Sequence, residues 1–144
     1  MTTRKKIPRT GAPKDDGAFV NRPWGGYQTL DEGVGYKVKR LVVEPGRRLS
    51  LQQHRFRAEH WVIIAGRPRV IVDERARRLK ARDTVDVPRG AWHRIENPGK
   101  SQAVIIEVQH GPYLGEDDII RREDDYGRAG PGSPARRTSK AHRI

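Results

Sequence analysis

Hydrophobic and polar positions divide the 144-residue chain into short runs. YKVKRLVV (36–43), HWVIIA (60–65), PRVIVD (68–73), DTVDVP (83–88) and QAVIIEVQ (102–109) are rich in β-branched residues and alternate at least in part. That pattern reads as half-buried strands. Gly and Pro stand between the runs, at Gly33 and Gly35, Pro45 and Gly46, Gly66 and Pro68, Pro88 and Gly90, and Gly111 and Pro112. Such spacing favours hairpins over long helices. About eight strands predict an all-β antiparallel sandwich or barrel, for which a small jelly roll is the size match. One stretch departs from the pattern. LGEDDIIRREDDYGR (114–128) carries acids in its first turn with Arg121 and Arg122 behind them, and it predicts a short C-terminal helix.

The period of two also assigns faces. Gln52 and His54 point one way and Gln53 the other, while Glu59 and His60 point to opposite sides. Lys37, Lys39, Leu41 and Val43 share a face, which is either the barrel interior or a solvated exterior. Glu107 and Gln109 share a face opposite Ile106 and Val108.

Composition changes this picture at the ends. Residues 1–20 and 128–144 are rich in Gly, Pro, Ser, Thr and basic residues, without apolar periodicity. They are expected to be disordered arms around one domain at 21–128. The net charge of +12 sits mostly there, since the arms hold five basic residues against two acidic ones and five against none. Basic arms attract phosphate backbones without specificity, but no recognition helix, finger or stacking platform accompanies them, so no specific nucleic-acid partner is expected. The chain has no cysteine, which excludes disulfides and thiolate metal sites. No apolar run approaches the roughly 20 residues of a membrane span. The expected location is the cytoplasm.

The concentrated chemistry lies in GRRLSLQQHRFRAEHW (46–61) and PRGAWHRIENPG (88–99). Gln52, His54, Glu59 and His93 together offer two imidazoles, a carboxylate and an amide oxygen, a set suited to zinc, manganese, iron, cobalt or nickel. Singly, each residue is more often an ordinary buried polar group. The acids at 116–118 and 123–125 lack the spacing of a calcium loop.

The spacings carry a resemblance. Gly46, Gln52, His54, Glu59 and Gly66, followed by Pro88, Gly90, His93 and Asn97, resemble the two cupin motifs in order. Gln52 stands where most cupins have a histidine, and Arg82 where the second motif opens with glycine. More closely, RPWGGY, the run from Tyr36 to Gly66, PRGAWHRIENPG and IIEVQHGPYLGEDDIIRREDDYGR resemble the C-terminal cupin domain of the type II mannose-6-phosphate isomerase family, over about residues 21–128. In that family the domain commonly follows a mannose-1-phosphate guanylyltransferase domain, for which this chain has no room.

The resemblance implies a cupin jelly roll with one divalent ion, zinc first, on Gln52, His54, Glu59 and His93. It implies metal-dependent interconversion of mannose 6-phosphate and fructose 6-phosphate, feeding nucleotide-sugar and polysaccharide synthesis. Arg121 is the expected substrate-binding arginine, Glu107 a candidate base, and Lys39 a candidate for the phosphate or a sugar hydroxyl. A separate guanylyltransferase chain and a homodimer are expected partners. Two rival readings are a non-catalytic sugar-phosphate-binding cupin and a metal-dependent dioxygenase.

Overall fold

A computed structural model describes residues 16–127, and among them are eleven strands and no helix. The strands are β1 (Val20–Arg22), β2 (Gly25–Gly33), β3 (Tyr36–Val43), β4 (Leu51–Gln53), β5 (Ala58–Ala65), β6 (Arg69–Val72), β7 (Arg75–Arg78), β8 (Thr84–Val87), β9 (His93–Glu96), β10 (Ala103–His110) and β11 (Ile120–Arg122). They form a six-stranded sheet in the order β1-β2-β3-β10-β5-β8 and a five-stranded sheet in the order β11-β4-β9-β6-β7. The paired strands are antiparallel. This is the expected all-β jelly-roll architecture.

Alternation puts one face of each long strand inside. On β3 the inward buried positions are Lys37, Lys39, Leu41 and Val43, with Val42 buried on the other face; on β10 they are Ala103, Ile105, Glu107 and Gln109; on β5 they are Glu59, Trp61 and Ile63. Register aligns these positions by chemistry. Ala103 stands opposite Val43, whereas Glu107 stands opposite Lys39 and Trp61, and Gln109 opposite Lys37 and Glu59. One end of the interior is therefore an apolar plug, completed by Val70, Val85, Val87 and Ile95. The other end gathers charged and amide side chains. A polarised interior of this kind is stable only where its polar groups find partners, and it is there that a site is built.

The helix expected over 114–128 does not form. Its residues 120–122 are β11, paired with β4 so that Arg121 stands opposite Gln52. The acids that suggested a helix N-terminus have tertiary partners instead. Glu116 accepts from Lys39 Nζ at 2.5 Å, and Asp118 accepts the Arg55 and Phe56 backbone N–H groups at 2.8 and 2.9 Å. Glu123 accepts from Arg94 at 2.8 Å, and Asp125 takes Arg48 through two bonds at 2.8 and 2.9 Å. A short isolated helix gains little after its nucleation cost, so these contacts and the β4 ladder decide the conformation.

Residues 1–15 and 128–144 of the expected arms lie outside the described residues, as does His142. The inner end of the first arm is part of the sheet: Val20 opens β1 opposite Tyr27, and Gln28 Nε2 donates to the Gly17 carbonyl at 2.9 Å.

Candidate metal centre

Three elements bring the candidate ligands together. His54 follows β4, Glu59 lies on the inner face of β5, and His93 opens β9, directly opposite Gln52. Pro88 and Gly90 set up the approach to His93: the Ala91 N–H donates to the Pro88 carbonyl at 3.1 Å, and Gly90 (φ 82) donates to the His54 carbonyl at 2.9 Å. This turn joins the two motifs. Asn97 closes the second motif as a structural clamp, donating to the Val43 and Ser101 carbonyls at 2.8 and 2.9 Å.

His54, Glu59 and His93 are buried, with possible ligand atoms all within 4.8 Å of one another. His54 Nε2 lies 3.3 Å from Glu59 Oε2, and His93 Nε2 lies 3.9 Å from Glu59 Oε1. Two donors on one ion at about 2.1 Å stand no more than about 4.2 Å apart, so both spacings fit a shared ion. The ring orientations agree. His54 Nδ1 meets the Asp118 carbonyl at 2.7 Å, and His93 Nδ1 meets the Ala91 carbonyl at 3.0 Å. A carbonyl only accepts, so each Nδ1 carries the proton and each Nε2 presents its lone pair toward Glu59.

The electrostatics match a ligand set. Burial pushes His54 down to about 4, with Arg57 adding to the effect. Burial also lowers His93. Both rings are thus neutral near pH 7, as metal ligation requires. Burial alone would raise the Glu59 carboxyl, but the Arg57 guanidinium holds it well below the usual carboxylate range. Glu107 moves the other way, to about 8, through burial first and then the Glu59 charge, to which it is also hydrogen-bonded. Trp61 Nε1 donates to Glu59 Oε1 at 2.9 Å.

A cleft of about 70 Å³ opens onto this cluster. Among its lining residues are Lys39, Gln52, His54, Arg57, Glu107 and Arg121. Gln52 and His54 share the face that alternation assigned them, and Lys39, Glu107 and Arg121 line the same cleft. Lys37 does not line it. Its Nζ lies 3.9 Å from Glu32 instead. Outward-pointing His60 pairs with Asp86 at 2.7 Å.

Sequence reasoning passed over Arg57, which is buried between the candidate ligands. Its Nε lies 2.9 Å from Glu59 Oε2, and its Nη2 lies 2.9 Å from the same oxygen and 3.2 Å from His54 Nε2. The signal was present, since Arg57 and Glu59 are two residues apart beside a strand start. Arg22 and Tyr27 also line the cleft without having been singled out. Tyr27 receives Lys39 Nζ 4.1 Å from its ring centroid.

The model of the family described as "Mannose-6-phosphate isomerase C-terminal" matches residues 14–124. The chain belongs to this family. It is 50% identical over 109 residues to the mannose-1-phosphate guanylyltransferase ManC of Salmonella typhimurium, covering 76% of this chain and 23% of that protein. It is likewise 50% identical over 109 residues to the alginate biosynthesis protein AlgA of Pseudomonas aeruginosa, with the same coverage of 76% and 23%. The chain therefore spans about a quarter of the length of these relatives. Among solved structures, the fold is similar to Rru_A2000 of Rhodospirillum rubrum, a cupin-2 domain, with a TM-score of 0.56 and 22% identity over 74% of this chain and 75% of that one. The resemblance read from the motifs and the cupin fold both hold. No helix among the described residues is long and apolar enough to cross a membrane.

Proposed function

We propose that this domain is a metal-dependent isomerase interconverting mannose 6-phosphate and fructose 6-phosphate. The observation that carries this reading is a single cleft in which candidate ligands Gln52 and His54 meet a buried carboxyl, Glu107, and two cationic side chains, Lys39 and Arg121. Family membership supports the choice of substrate class.

Gln52, His54, Glu59 and His93 would hold the ion, with zinc the first to test. When bound, a divalent ion supplies Lewis acidity toward the sugar's carbonyl and hydroxyl oxygens. In the open-chain sugar, the C2 proton leaves to a base and a proton arrives at C1, while another passes from O2 to O1. Glu107, in its ionised form, would exchange these carbon-bound protons, a role supported by its position on the cleft wall and the bond it accepts from Gln109. Arg121 would receive the phosphate, since a planar guanidinium offers paired donors; its position opposite Gln52 and on the cleft wall supports this role. Lys39 is anchored between Glu116 and the Tyr27 ring and presents its charge to the same cleft.

The size of the relatives supports a guanylyltransferase chain as a partner, with this domain acting in polysaccharide precursor synthesis. A second reading, sugar-phosphate binding without turnover, is favoured by one observation: Arg57 already engages His54 and Glu59. An assay separates the two. Purified protein given mannose 6-phosphate and zinc should form fructose 6-phosphate, with Arg121→Ala raising KM more than it lowers kcat. Saturable binding of mannose 6-phosphate without product would support the second reading.

A further inference from the structure

Arg57 sits where an enzyme that relies on a metal would gain least from a fixed positive charge. Its side chain is buried, with a residue exposure of 6%. Two of its nitrogens contact Glu59 Oε2 at 2.9 Å, and Nη2 reaches His54 Nε2 at 3.2 Å. These are the atoms that the metal reading assigns as ligands. Because His54 Nδ1 donates to the Asp118 carbonyl, Nε2 has one lone pair, which serves a guanidinium or an ion but not both.

We propose that Arg57 is an internal cation that competes with the metal for His54 Nε2 and Glu59 Oε2, so that metal entry ejects its guanidinium into the cleft. The proposal rests on the metal reading above. A buried carboxylate without a counter-charge is costly, and Arg57 meets that need through its two contacts to Glu59. A divalent ion meets it more strongly, and at a separation of a few ångströms it repels the guanidinium in a medium of low dielectric. The displaced side chain has a destination: Arg57 and Glu116 line the same cleft, and the Glu116 carboxylate already holds Lys39 there. Arg57 would thereby change from a partner of the ligands into a cationic wall of the substrate cleft.

The alternative is a scaffold, in which Arg57 holds Glu59 and His54 in place for the ion. The two roles predict opposite signs. If Arg57 competes, its removal destabilises the protein without metal and tightens metal binding; if it is a scaffold, removal weakens binding. The full chain, stripped with chelator, is titrated with zinc and with manganese in competition with a chelating dye, and its melting temperature is measured with and without metal. Arg57→Gln should bind either ion about tenfold or more tightly than the native chain, melt lower without metal, and recover more of its melting temperature on loading. Arg57→Lys keeps the charge but lacks the fork that spans both atoms. It should fall between them, and it carries the test alone if the glutamine variant does not fold.

Native binding with equal or weaker binding in both variants overturns the proposal and leaves the metal reading intact. Binding by the variants alone upholds the competition and defeats the metal reading for the native chain. No binding by any of the three defeats both.

Discussion

His54 donates from Nδ1 to the carbonyl of Asp118 at 2.7 Å, so the orientation of a candidate ligand is set by a residue 64 positions away. The Asp118 side chain meanwhile accepts the backbone N–H groups of Arg55 and Phe56. The C-terminal segment thus wraps the first motif from both directions.

Asp118→Ala removes both side-chain bonds and frees the loop that carries His54. Stability should fall by about 1–3 kcal/mol, and affinity for zinc by up to roughly tenfold, because the loop loosens while the backbone carbonyl that orients His54 remains. Thermal melting and dye competition measure the two effects. Unchanged zinc affinity would show that the two Asp118 side-chain bonds do not position His54.

His54→Ala and His93→Ala should each lose the ion. Elemental analysis after dialysis against zinc checks this, with circular dichroism reporting whether the β structure survives. The apolar core contains neither histidine, so most of the sheet signal should remain. Full occupancy in both variants would remove these residues from the ligand set.

Arg82 occupies the position where the second motif ordinarily has glycine, and its φ is 82°. Its N–H donates to the Ile63 carbonyl at 2.8 Å, so the turn is held despite the strain. A side chain in this left-handed conformation costs about 1 kcal/mol relative to glycine. Arg82→Gly should therefore raise stability by up to about 1 kcal/mol in denaturant titration, whereas Arg82→Ala should not. Equal stability of the two variants would mean that the backbone has relaxed out of this conformation.

Glu116 gives a pH signature away from the ligands. Burial alone would raise its carboxyl, but Lys39, and then Arg57, hold it below the usual range. Because the folded value lies below the unfolded one, about 4.3, the contribution is present above that pH and disappears as pH falls through the folded value. The Glu116 side chain is 52% exposed, so the effect should stay below about 1 kcal/mol. Glu116→Gln should flatten the loss of stability between about pH 5 and pH 3. An acid limb identical to that of the native chain would show that the pair contributes nothing.

The parts of this fold that were legible in the sequence are those where one rule decides the structure. Alternation in YKVKRLVV and QAVIIEVQ grouped Lys37 with Lys39 and Glu107 with Gln109, because successive side chains on a strand point to opposite faces, but it left open which face is interior, and the structure buries both pairs. The two motif spacings picked out His54, Glu59 and His93, which the fold clusters, and Gln52, which it sets opposite His93 in the ladder. The segment after Gly111 was misread because its acids satisfy two rules at once. They suit a helix N-terminus, and they equally suit the distant Lys39, Arg48 and Arg94 that take them. Local sequence does not contain those partners. Arg57 was overlooked for a related reason: in a chain with 30 basic residues, one arginine beside a turn looks solvated until the barrel closes over it.

The most direct measurement loads the chelated protein with zinc in substoichiometric steps and follows conversion of mannose 6-phosphate to fructose 6-phosphate at each step. The account predicts no conversion without metal, a linear rise to a break at about one equivalent per chain, and no conversion at any loading in His54→Ala or His93→Ala. Absence of fructose 6-phosphate at full occupancy with zinc, cobalt, manganese and iron, or conversion undiminished by chelator, would contradict it.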